Sequence, residues 1–141
     1  MAALAASERG LFSLISVMER GRMLPAAELR ELVTVADQTA ATMAATAGEV
    51  MSMERAISNA PHSRAHLEPT IGAFTTQLDH GVRQYNEMVT AAAQLVSAAN
   101  AGPMSSSPMS QQRYRDELVS ATDRLTGWAQ AFDELGQLRR A

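Results

Sequence analysis

The sequence predicts an all-α protein: an elongated antiparallel helical bundle of three long helices plus a shorter N-terminal helix, with coiled-coil-like packing. Three observations predict it. Apolar residues recur at steps of three and four along extended stretches; in the last of these Tyr114, Leu118, Ala121, Leu125, Trp128, Phe132 and Leu135 fall on one helix face. Of the 141 residues 46% are apolar but only 4% aromatic, the apolar mass being mostly Ala with Leu, Val and Met. Alanine is the best helix former and lets helices approach closely. Finally, proline and glycine stand between the stretches, where helices should begin and end.

The first helix is expected over about 3–20, with Leu4, Leu11, Leu14, Ile15 and Met18 on one face. Gly21 should stop it, because glycine readily takes the left-handed conformation of a helix end. The second, over about 25–59, opens on Pro25, whose fixed φ suits a first turn. Glu28 and Glu31 sit near its positive end. Its stripe reads Leu29, Leu32, Val33, Ala36, Ala40, Met43, Ala47, Val50, Met51 and Ile57, and Thr39, Thr42 and Thr46 are weak helix formers in its middle.

The third helix is expected over about 67–100, with Pro69 in its first turn. It carries Ile71, Phe74, Leu78, Val82, Tyr85, Met88, Val89, Ala92, Leu95, Val96 and Ala99. Gly81 on the same face marks a close backbone approach. Asp79, Arg83 and Glu87 are spaced so that Arg83 can bridge both acids. A Ser/Pro linker, 101–107, ends at Ser107, an N-cap before Pro108, and the fourth helix covers about 108–138. Short connections make neighbours antiparallel, and the length suits one domain over 1–141.

Composition closes several functional classes. Without cysteine there is no disulfide, zinc-thiolate site or thiol nucleophile. The net charge is −3, and the twelve basic residues, all arginine, are scattered among acids, so a nucleic-acid role is not expected. No run is long and apolar enough to span a bilayer, and the apolar run 11–18 is bracketed by charges, unlike a signal peptide. The chain opens without a capping signal in an Ala-rich stretch that already reads as helix. The expectation is therefore a soluble fragment of a longer protein.

No constellation with catalytic, cofactor or metal chemistry emerges. His62 and His66, with Glu68 and His80 nearby, fall around a proline-containing loop and read as solvated. A di-iron bundle needs Glu three residues before histidine; here those positions hold Asn59, Ser63 and Gln77. Met18, Met43 and Met88 read as core fillers rather than haem ligands. Trp128 and Tyr85 occupy central stripe positions and read as core. Glu54 falls inside the apolar stripe of the second helix, an acid that must be buried and paired, or wet. Phe12 lies off the first stripe, and Val35 and Met53 flank the second. This surplus apolar surface is the candidate partner-binding set.

Several segments together resemble a known family: Glu8-Arg9-Gly10-Leu11 with Met23-Leu24-Pro25, Met51-Ser52-Met53-Glu54-Arg55-Ala56, and Gly81-Val82-Arg83-Gln84-Tyr85 leading into Val89-Thr90-Ala91-Ala92-Ala93. They resemble the soluble C-terminal part of the actinobacterial, including mycobacterial, phage-shock envelope-stress protein M (PspM) family. The resemblance implies a non-enzymatic interaction module of the phage-shock response, on the cytoplasmic face of the cytoplasmic membrane and anchored by transmembrane helices that this chain lacks. The implied partner is the PspA-type coiled-coil protein, in a circuit that includes a stress-response transcription regulator. It supplies no catalytic residue.

Three other readings compete. An Ala-rich helical module of the type-VII-secretion class wants a Trp-x-Gly turn, whereas Trp128 is followed by Ala129 and Gln130 in a helical pattern. A homodimeric structural bundle is compatible with the stripes, with the fourth helix closing on its own chain or on a second copy. An enzyme or ligand-binding bundle would need convergent polar groups, of which the stripes offer only Glu54 and the Tyr85 hydroxyl.

Overall fold

The computed structural model describes residues 2–100 and 108–140. The linker 101–107 with its Ser107 cap, and the side chain of Leu135, lie outside the described residues. The chain forms α1 (Ala2–Arg20), α2 (Ala26–Asn59), a 3-10 turn (Pro61–Ser63), α3 (Arg64–Asn100) and α4 (Pro108–Arg140), and no strand occurs among the described residues. At 37 residues α3 is about 55 Å long. It is the central element, packing against α1, α2 and α4. α2 also touches α1 and α4, whereas α1 and α4 do not pack on each other. The bundle is therefore a three-helix core, α2–α3–α4, with the short α1 laid against the α2–α3 pair. α4 closes on its own chain, running antiparallel to α3: Trp128 meets Gln77, and Arg124 meets Glu87.

The expected stripes supply the core. Leu11, Met18, Ala36, Met43, Tyr85, Met88, Ala92 and Leu125 have no exposed surface, and Leu118, Ala121 and Leu95 almost none. Alanines at Ala36, Ala40, Ala91, Ala92 and Ala121 are the low points that let long helices close together. The threonines of α2 are accommodated by back-bonding. The Thr39 hydroxyl donates to the Val35 carbonyl at 2.6 Å, and that of Thr46 to Thr42 at 2.9 Å, so buried hydroxyls stay satisfied without leaving the helix.

Helix ends depart from expectation in two places. α1 does stop at Gly21, but the left-handed residue is Arg22, at φ 49°. The Met23 amide donates to the Met18 carbonyl (3.0 Å) and the Arg22 amide to that of Glu19 (3.3 Å), the paired bonds of a Schellman motif with Arg22 in the position glycine usually takes. A Cβ at Gly21 would lie 2.9 Å from the end of the flexible Met23 side chain and 3.3 Å from the Val17 carbonyl, a tight fit that a shift of Met23 relieves. At the other end α3 starts earlier than expected, and Pro69 lies inside it. The reason is Pro61, which opens the 3-10 turn that feeds directly into α3. Pro69 then falls early enough that only one intrahelical bond, to the Ala65 carbonyl, is forgone.

Past Val50 the α2 stripe is only partly covered, although Ile57 is buried. Met51 is 53% exposed and Glu54 is exposed. Leu4, near the start of α1, lines the same surface groove as Val50 and Met51, so beyond this level α1 no longer covers α2. Of the alternatives for Glu54, buried and paired or wet, the structure shows the wet one: it is exposed, with no ion pair among the described residues.

Candidate functional site

The residues expected to bind a partner do not gather into one patch. Phe12 is 41% exposed on α1. Val35 is half-buried and packs against the core, and Met53 is half-buried on α2, 18 positions further on, about 27 Å along the helix. Among the described residues Met51 and Val119 join Phe12 as the large exposed apolar side chains. Periodicity could not reveal Val119, because its surroundings come from another helix: it borders a small cleft with Glu28 and Glu31 of α2 and Asp123 of α4.

The histidines stay in solvent. His62 lies in the 3-10 turn and His66 near the start of α3, both exposed. The exposed His80 ring lies 3.4 Å from the Gln84 amide nitrogen. No group of three or more side chains able to hold a metal ion occurs among the described residues. Arg83 does not bridge Asp79 and Glu87 as expected. Glu87 turns to Arg124 across the α3–α4 seam, at 3.7 Å. Arg113 and Glu117 pair at 3.6 Å along the same groove.

Deeper in the bundle two features lock α3 to its neighbours. Trp128 lies directly over Gly81; a Cβ there would meet the indole ring at 2.5–2.8 Å. The indole N–H donates to the Gln77 carbonyl at 3.1 Å. Phe132 stacks on Trp128 with centroids 5.3 Å apart, and Phe74 lies 6.2 Å from Phe132. The close approach expected at Gly81 is thus an indole seat. Trp128 sits within α4, not in a turn. Tyr85 is fully buried, and its hydroxyl has no hydrogen-bond partner among the described residues. Burial first, then the charges of Glu8 and Asp37, push its phenol well above the ordinary range.

The third feature could not be seen in the sequence. At the α1–α2 corner lies a groove of about 890 Å³. Arg22 from the turn, Arg30 from α2 and Arg115 from α4 all line it, with Glu19 as the acid beside them. Ile15, Leu24, Leu29 and Val33 supply its apolar walls. The Arg115 Nε is sealed from solvent and has no hydrogen-bond partner. In the sequence these arginines stand up to 93 residues apart, and no local pattern links them.

Among the described residues no helix is long and apolar enough to cross a membrane. A family model described as the Rv2743c family matches residues 1–135. The chain is 66% identical, over 144 aligned residues, to the envelope-preserving system protein Rv2743c of Mycobacterium tuberculosis. The match covers 99% of this chain and 51% of that protein, so the chain spans about half the length of the relative it matches. No solved structure matches.

Proposed function

The chain belongs to the Rv2743c family, and from that premise we propose that it is a non-enzymatic interaction module of an envelope-preserving stress system. The observation that carries the reading is the 66% identical relative, which is described as an envelope-preserving system protein. In the finer form of the proposal, this is the phage-shock circuit of the PspM family. The bundle then recruits or restrains a PspA-type coiled-coil protein at the cytoplasmic face of the membrane, within reach of a stress-response transcription regulator.

The surface fits such a role. α1 ends its cover of the α2–α3 pair near Leu4, leaving Val50, Met51, Leu78 and Val82 lining an apolar groove. Helix-in-groove docking uses apolar tracks of this kind. Exposed Phe12 adds a single aromatic anchor on α1.

The test is light scattering in line with size exclusion, on this chain mixed with the host's PspA-type protein. The expected result is co-elution at a defined mass, weakened by Met51→Asp or Phe12→Ala. Separate elution at tens of micromolar would refute capture by this part of the protein. A self-associated peak of this chain alone would favour the homodimeric reading instead.

A further inference from the structure

We propose that the groove at the α1–α2 corner is a binding site for an anionic single-chain amphiphile, a molecule with one alkyl chain and a phosphate or carboxylate head. This goes beyond the adaptor reading and does not depend on it.

The first argument is complementarity. The groove's walls are apolar, from Ile15, Leu29 and Val33, and its volume of about 890 Å³ lies within the range of small-molecule sites. Its charged lining is three arginines against Glu19, in a chain whose net charge is −3. The arginines reach it from three separate elements, the α1–α2 turn, α2 and α4. That suits a single head group. An acidic partner helix would instead be matched by a ladder of charges along one element.

The second argument is the state of Arg115. Arg115 is half-buried and lines the groove, and its Nε, shut off from solvent, has no hydrogen-bond partner, a donor left unmet. An anionic head in the groove is placed to meet it, bidentately if it is a phosphate or carboxylate.

The third is Arg22. A helix end of this geometry favours glycine at the left-handed position, and glycine stands one residue earlier. The chain holds an arginine there, against its backbone preference, and the side chain lines the groove. Unfavourable backbone geometry maintained at a groove is the pattern expected where function opposes stability.

The experiment is isothermal titration of the intact chain with dodecyl phosphate below its micellar concentration, beside dodecyl maltoside and inorganic phosphate. The expected result is saturable one-to-one binding of dodecyl phosphate, at least tenfold weaker binding of the neutral detergent, and none of phosphate alone. Arg115→Met should weaken binding tenfold or more with helicity unchanged. Arg30→Gln, at an exposed position, should weaken it severalfold and guards against a folding defect. Arg22→Gly should weaken binding while raising the melting temperature, a combination that general damage does not produce. No saturable binding, equal affinity for the neutral detergent, or indifference to both Arg115→Met and Arg30→Gln would overturn the proposal. So would an acidic amphipathic peptide that occupies the groove where dodecyl phosphate does not.

Discussion

Gly81→Ala should destabilise this protein, although helix propensity alone says the reverse. In an exposed helix interior the change from glycine to alanine is worth about 1 kcal/mol in favour of folding. At Gly81 the new methyl would sit 2.5 Å from Cζ2 and 2.8 Å from Cε2 and Cη2 of Trp128. The obstacle is a rigid ring, not the end of a flexible chain. To move, the indole must strain its bond to the Gln77 carbonyl and its stack on Phe132. Overpacking of this kind costs about 1–3 kcal/mol, the hydrogen bond about 1, and the ring pair about 0.5–1.5. After subtracting the propensity gain, the net loss is about 1.5–4.5 kcal/mol, or roughly 5–15 °C in melting temperature for a chain of this size. Urea unfolding, followed by helicity and by the fluorescence of the single tryptophan, would measure it. Gly72→Ala and Gly127→Ala are the controls. A Cβ at either site meets nothing within 4 Å, so each should stabilise by about 0.5–1 kcal/mol. In a Trp128→Phe background the penalty at Gly81 should shrink, because the smaller ring vacates the overlap. If Gly81→Ala stabilises as much as Gly72→Ala, Trp128 does not rest on Gly81 and the reasoning fails.

Three other outcomes follow from the packing. Tyr85→Phe should leave stability at neutral pH unchanged or higher by up to about 1 kcal/mol, since it removes a buried hydroxyl with no partner. Folding raises the Tyr85 phenol above its ordinary value of 10.0. The wild type should therefore keep full stability below about pH 10 and lose it as the pH climbs further, a limb that the phenylalanine variant flattens. Leu125→Ala, at a position with no exposed surface, should cost about 2–5 kcal/mol in chemical denaturation; a loss below 1 would place α4 off the core. Arg124→Gln removes a half-exposed ion pair with Glu87 and should cost less than about 1 kcal/mol, with the difference vanishing in high salt.

The helices were legible because each follows from local rules. Leu11, Met43, Met88 and Leu125 recur at spacings only a helix turns to one side, and all four are fully buried. The same spacing misplaced Met51. A stripe states which face is apolar, but whether it is covered depends on how far α1 reaches. Pro69 misled for a related reason. A proline tolerates several positions in an early turn, and Pro61 had already opened the run into α3. Arg83 was paired by its spacing along α3, yet Glu87 found its cation on α4 instead.

The sequence by itself determined that this protein is helical, which faces are apolar, and that Gly81 permits a close approach. These depend on residues within a turn or two of each other, where backbone geometry leaves little choice. Only the tertiary structure decided that Trp128 fills the space over Gly81, that Tyr85 is sealed with its hydroxyl unpaired, and that Arg22, Arg30 and Arg115 meet across one groove. Such groups are brought together by the docking of separate helices, and the order and depth of that docking are set by side-chain volumes across the whole core, which no local spacing encodes.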